Sequence, residues 1–255
     1  MKLPYKEFET RLKSLRARGV RVREIACVGA PRTLLCVELG EPSAPVIALA
    51  AGIHGDEPAG PAALLAILED DVLDPRFAYR ILPCTNPTGY ACATRESVDG
   101  TDLNRTFGRG GQSPEARAIV TANRDRKFAL SLDLHEDGDG HGFYCYDYTG
   151  DGLGARIAAA VGAAGLPVQA LDGEYDLGFA LPAGAATFSP GVVRANPVAE
   201  AEAIGALTYT LALARNAAPR ALTFETPSRA PWETRLAMHR VAVTTAIAAL
   251  SQASD

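Results

Sequence analysis

Val46-Ile47-Ala48-Leu49-Ala50-Ala51 is an uninterrupted run of six apolar residues. A strand with one wet face alternates apolar and polar residues; a strand that does not alternate is buried on both faces. Strands of that kind belong to mostly parallel sheets with helices packed on either side. The run stops at Gly52-Ile53-His54-Gly55-Asp56-Glu57-Pro58, and residues 59–70 (AGPAALLAILED) then predict a helix.

The rest of the chain agrees with that architecture. Residues 5–18 space Phe8, Leu12 and Leu15 helically among charges, and Gly19 is placed to end the helix. Val20 to Val28 and Thr33 to Leu39 alternate around Gly29-Ala30-Pro31, which predicts a hairpin. Further strands are expected over 77–83, 128–134 and 221–224. Ser113-Pro114-Glu115 combines an N-cap, a proline at the first helical position and an early acid, so a helix starts there. Helices are also predicted over 151–164, 199–215 and 233–250. Residues 86–112 have little periodicity, and an irregular stretch of that length inside a domain is a place to look for function. The expectation is one α/β domain over residues 1–255, with a mixed, mostly parallel sheet covered by helices on both faces.

Charge and cysteine usage narrow the class. A net charge of −5 argues against a nucleic-acid partner, which would call for a basic stripe. No window approaches the roughly 18 consecutive apolar residues of a membrane span. The charged start Met1-Lys2-Leu3-Pro4-Tyr5-Lys6-Glu7 does not read as a signal peptide. Five cysteines (Cys27, Cys36, Cys84, Cys92 and Cys145) lack Cys-x-x-Cys spacing, so they are expected to be reduced, small, buried residues of a cytoplasmic protein. There is no Gly-x-Ser-x-Gly elbow and no glycine-rich phosphate loop after a strand.

Four histidines exist: His54, His135, His141 and His239. His54 follows the strand 46–51, and His135 ends the strand 128–134. The carboxyl edge of an open α/β sheet is where ligands bind. His54 alone would be an ordinary loop histidine. With Glu57 three residues on and His135 at a second strand end, one edge receives two nitrogens and a carboxylate. Three protein ligands with a fourth position open is the arrangement of a catalytic zinc, and two nitrogens favour zinc over magnesium. One Zn2+ per chain is the expectation. Asp133, two residues before His135, is placed either to orient that imidazole or to close a strand-end turn. His141, in the loop after Asp137-Gly138-Asp139-Gly140, is expected to be a substrate-side or surface histidine rather than a metal ligand. His239, in the last helix, is expected at the surface or partly buried.

These segments resemble the zinc carboxypeptidases of the carboxypeptidase A type, including their succinylglutamate desuccinylase/aspartoacylase branch. His54-Gly55-Asp56-Glu57 matches the first two zinc ligands, Asn86-Pro87-Thr88-Gly89-Tyr90 the Asn-Pro-x-Gly loop, Asp102-Leu103-Asn104-Arg105 the Asn-Arg motif, Asp133-Leu134-His135-Glu136 the third ligand and Phe224-Glu225-Thr226-Pro227 the strand of the general base. The matches run in order over residues 46–227. The resemblance implies a sheet of about eight strands, Glu225 as general base, Arg95 at the oxyanion, and Asn104 with Arg105 on a substrate carboxylate. Thr106 departs from the asparagine that the peptidases carry, and neither Tyr175 nor Tyr209 aligns with their mobile tyrosine.

The implied activity is hydrolysis of an amide next to a free carboxylate in a small peptide or peptide-like substrate. The nearer alternative is an N-acyl-amino-acid deacylase of the desuccinylase/aspartoacylase type; the alternative of another class is a non-catalytic binding protein on the same fold. Specificity is expected to reside in 141–190, where Phe143-Tyr144-Cys145-Tyr146-Asp147-Tyr148 reads either as pocket lining or as a strand with aromatic packing.

Overall fold

The apolar run is a central strand of a nine-stranded sheet in the computed structural model, which describes residues 2–108, 110–171 and 180–252. In chain order the elements are α1 (Tyr5–Ser14), β1 (Arg21–Ile25), β2 (Leu34–Leu39), β3 (Val46–Ala51), α2 (Ala59–Asp70), β4 (Ala78–Leu82), α3 (Pro87–Cys92), α4 (Pro114–Ala122) and β5 (Leu130–Asp137). There follow β6 (Tyr144–Asp147), α5 (Leu153–Ala163), β7 (Ala186–Ser189), β8 (Val192–Ala195), α6 (Pro197–Ile204), α7 (Tyr209–Asn216), β9 (Ala221–Pro227) and α8 (Trp232–Gln252). The sheet order is β1-β2-β4-β3-β5-β9-β6-β8-β7. Its middle, β4-β3-β5-β9, is parallel, while the β1-β2 hairpin, the β2-β4 pair, β6-β9 and β7-β8 are antiparallel.

The period-2 rule divides the core. Ile47, Leu49 and Ala51 join Leu132, Leu134 and Phe224 in the layer that holds Phe8, Leu64 and Val243, from α1, α2 and α8. Ala48 and Ala50 point the other way, toward Ile119 of α4 and Tyr209 and Leu213 of α7. Leu132, Leu134 and Phe224 are fully buried, and each such side chain contributes about 1.5–3 kcal/mol of transfer free energy. Strands covered on both faces leave only their ends accessible, which puts polar chemistry at the carboxyl edge.

Two expectations change, and one pair of strands was not among them. The helix expected over 199–215 is two helices, α6 and α7, because Gly205 takes a left-handed conformation (φ 69°) and ends the first. The short strands β7 and β8 flank Pro190-Gly191, a turn signal with only four residues on either side to carry an alternation. Cys92, expected to be buried, is exposed at the end of α3, whereas Cys27, Cys36, Cys84 and Cys145 are buried.

Candidate metal centre and active site

The His54–Glu57 loop owes its shape to two glycines. Gly52 leaves β3 with φ 65°, and a Cβ there would approach Pro61 Cγ to 2.8 Å. A Cβ on Gly55 would fall 1.9 Å from the carbonyl carbon of Gly89, so the metal loop lies directly on the Asn86–Gly89 turn. Asn86 is the clamp between them. Its Oδ1 accepts from Gly89 N at 2.9 Å, while its Nδ2 faces the carbonyls of Ile53 (3.2 Å), Arg95 (3.3 Å) and Glu96 (3.1 Å).

His54, Glu57 and His135 are all buried, and one ligand atom from each lies within 4.8 Å of the others. Glu57 Oε1 is 2.5 Å from His54 Nδ1, and Oε2 is 3.0 Å from His135 Nδ1. Both imidazoles therefore turn Nδ1 inward. Their outer nitrogens meet carboxylates: His54 Nε2 lies 3.3 Å from Asp102 Oδ1, and His135 Nε2 lies 3.1 Å from Asp133 Oδ2. A carboxylate behind each histidine fixes ring and tautomer in the way metal-binding histidines need. Burial alone would push Glu57 up, but His54 and His135 hold its carboxyl well below the usual range. A carboxylate kept charged between two inward nitrogens is a seat for a divalent cation, and the N2O donor set fits zinc.

The other expected residues line one cavity of about 650 Å3 with these three: Arg95, Asn104, Arg105 and Glu225. Glu225 is the register partner of His135 across the parallel β5-β9 pair. Burial raises its carboxyl well above the ordinary value; His135 opposes, while Glu57, Asp137 and Asp133 add to the rise. Arg95 places Nη2 3.2 Å from Asp102 Oδ2 and Nη1 3.5 Å from Glu57 Oε1, so its guanidinium is tied to the ligand set. Asn104 spends its carbonyl on the fold, accepting from Tyr209 N at 3.0 Å at the start of α7. Arg105 stays partly exposed to the cavity.

Several sequence expectations separate here. His141 is exposed, donates its backbone N–H to Gln169 Oε1 at 2.8 Å and lies outside the ligand group. His239, expected near the surface, is fully buried, with Nε2 3.2 Å from Thr226 Oγ1, because α8 packs this face onto β9. Tyr209 is a core residue packed edge-on against Phe107, and Tyr175 lies outside the described residues. The 143–148 segment satisfies both of its readings: Tyr144–Asp147 is β6, and Tyr144, Tyr146 and Tyr148 also line the cavity.

Three contributors have no role in the sequence reading. Asp102, two residues before Asn104, links His54 to Arg95. Glu136 accepts from Ala59 N at 2.6 Å and pairs with Arg235 at 2.5 Å, joining the third-ligand strand to α2 and α8. Glu200 reaches the cavity from α6 and accepts a hydrogen bond from Tyr148 Oη at 2.8 Å. Asp102 could have been found from its position in the Asn-Arg segment. The others depend on long-range packing that leaves no local signal.

Comparison with known proteins agrees with this geometry. The family model "Succinylglutamate desuccinylase/Aspartoacylase catalytic domain" matches residues 43–211. No curated protein sequence matches the chain. Among solved structures, a candidate metallopeptidase of Shewanella amazonensis superposes with a TM-score of 0.76 at 23% identity, over 96% of this chain and 92% of its own. A metallo-carboxypeptidase from Burkholderia cenocepacia gives a TM-score of 0.70 at 15% identity, over 96% and 68%. Bovine thrombin-activatable fibrinolysis inhibitor, in complex with tick carboxypeptidase inhibitor, gives 0.75 at 13% identity, over 99% and 98%. At these identities the superpositions speak for a shared carboxypeptidase-like fold.

Proposed function

Because the chain belongs to the succinylglutamate desuccinylase/aspartoacylase catalytic-domain family, a family of zinc hydrolases, we propose that it hydrolyses the amide bond next to a free carboxylate in a small peptide or peptide-like substrate. One observation carries the reading. The His54–Glu57–His135 donor group, the Glu225 carboxyl on the same rung as His135, and the Arg105 guanidinium all face one cavity.

His54 Nδ1, Glu57 and His135 Nδ1 would hold the ion. Bound zinc supplies Lewis acidity and brings the pKa of a water ligand to about 7. Glu225 takes one proton from the attacking water, whose oxygen bonds to the acyl carbon. The same proton then goes to the leaving nitrogen as the C–N bond breaks, giving a carboxylic acid and an amine. A carboxyl raised by burial is basic enough to hold a proton between those two transfers. Arg95, anchored by Asp102, offers fixed positive charge to the oxygen that becomes anionic. Arg105 offers a planar fork to the substrate's own carboxylate.

The test is a set of short peptides, each as free acid and as C-terminal amide, given to the zinc-loaded protein. Much faster cleavage of the free acids than of the amides is expected; equal cleavage of the two would reject the carboxylate grip. The family match favours a second reading, an N-acyl-amino-acid deacylase with the same site. N-acetyl and N-succinyl amino acids in the same assay separate the two, since a deacylase prefers them to any peptide.

A further inference from the structure

Glu200 is an acid in an unusual place. It sits in the first turn of α6 and is only 4% exposed, yet it lines the cavity that holds the metal donors. Tyr148 Oη donates to Oε1 at 2.8 Å. Oε2 is buried and has no hydrogen-bond partner, and among the described residues no lysine or arginine forms an ion pair with Glu200. A helix N-terminus favours an acid, but an exposed one would serve equally. Holding Tyr148 takes one oxygen, and a glutamine would supply it. Neither purpose accounts for a second, unpartnered carboxyl oxygen in a buried position, which is costly to keep.

We propose that Glu200 and Tyr148 form a recognition subsite for a basic side chain on the residue that carries the substrate's free carboxylate. This rests on the amide-hydrolase reading and names its substrate class. Arg105 lines the same cavity and its charge reaches Glu200, so one bound residue can present its carboxylate to Arg105 and its side chain to Glu200. Ala203 and Ile204, from the next turn of α6, line the cavity beside Glu200 and suit the alkyl stem of a lysine or arginine. Burial raises the Glu200 carboxyl to about 7, and Tyr148 and Arg105 counter only part of this. A cationic donor on Oε2 would supply the missing hydrogen bond and restore the charged form. An acidic side chain would meet Glu200 with like charge, and a purely apolar one would leave Oε2 without a donor.

The experiment measures product binding and turnover separately. L-Lysine, L-arginine, L-norleucine and L-glutamate are titrated calorimetrically into the zinc-loaded wild type and Glu200→Gln, and the matching benzoylglycyl dipeptides are assayed for hydrolysis. Charge-assisted hydrogen bonds lead us to expect lysine and arginine to bind about 10- to 100-fold more tightly than norleucine, with glutamate weakest. Glu200→Gln should erase that difference while leaving norleucine binding close to wild type. Norleucine binding as tightly as lysine in the wild type, or a preference that survives Glu200→Gln, overturns the subsite; the wild-type comparison needs no variant to fold. Tight lysine binding without hydrolysis of any dipeptide would instead keep the subsite and reject the peptidase activity. Binding of none of the four would reject the subsite, and hydrolysis of no dipeptide would reject the peptidase activity.

Discussion

His135 and Glu225 are register partners on adjacent parallel strands, β5 and β9. A metal ligand and the proposed base thus stand on one rung, at a separation fixed by backbone pairing. Side-chain direction in a strand has a period of two, so a slip of one residue would turn Glu225 away from the cavity. Glu225→Gln keeps shape and removes the proton acceptor. Turnover should fall by about 10^2- to 10^4-fold, with zinc content unchanged. A variant that retains near-normal kcat would remove Glu225 from the mechanism.

His54→Ala and His135→Ala each delete one inward nitrogen from a buried three-atom group. Both purified variants should contain well under one zinc per chain by elemental analysis. One-to-one zinc in both would mean that the ion is held elsewhere.

Asp102 joins His54 Nε2 to Arg95 Nη2. Asp102→Ala should weaken zinc binding by about 10- to 100-fold in competition with a chelator, the usual effect of losing an outer partner of a metal-binding histidine. Because Arg95 loses its anchor too, kcat should drop even at saturating zinc. Unchanged zinc affinity would contradict the orienting role.

Arg105→Ala should raise KM for a free-acid substrate by about tenfold or more, the range of a charge-assisted hydrogen bond, and should leave cleavage of the corresponding amide nearly unaltered. Equal losses on acid and amide would point to a structural arginine instead.

His239 predicts a pH dependence. Burial, reinforced by His135 and Arg235, lowers its pKa from 6.5 to about 3, so it is neutral in the folded chain. A histidine with a depressed folded pKa contributes stability that is fully present above 6.5 and lost as the pH falls toward 3. The whole effect is on the order of 5 kcal/mol. In chelator-treated protein, the melting temperature should fall between pH 6.5 and 4, and His239→Gln should flatten that fall. Identical pH profiles for variant and wild type would assign the acid sensitivity to other groups.

The sequence is most informative where chemistry is local. The β3 run, His54 with Glu57 and the strand-end His135 are each readable within a few residues, and their meeting at one sheet edge follows from the parallel topology. Glu225 required the family resemblance, because one glutamate at a strand end has no spacing signature. Glu200 was invisible: α6 and α7 read as one helix, and Gly205 divides them. The burial of His239 is not legible locally, because a histidine on a long terminal helix has no mark of the strand it will cover. Asp102 lay inside a motif already in view, but its two partners come from residues 48 positions before and 7 positions before it.

Asn86 joins the carbonyl after β3 to those of Arg95 and Glu96, and Gly55 leaves no space between its loop and the Gly89 turn. Residues 52–57 and 86–96 therefore behave as a single interchangeable part. A graft that imports the metal loop from a relative without its matching turn would misplace Arg95 along with the ligands. Redesign of this site should move the two together and direct its variation to α6 and the tyrosines of β6.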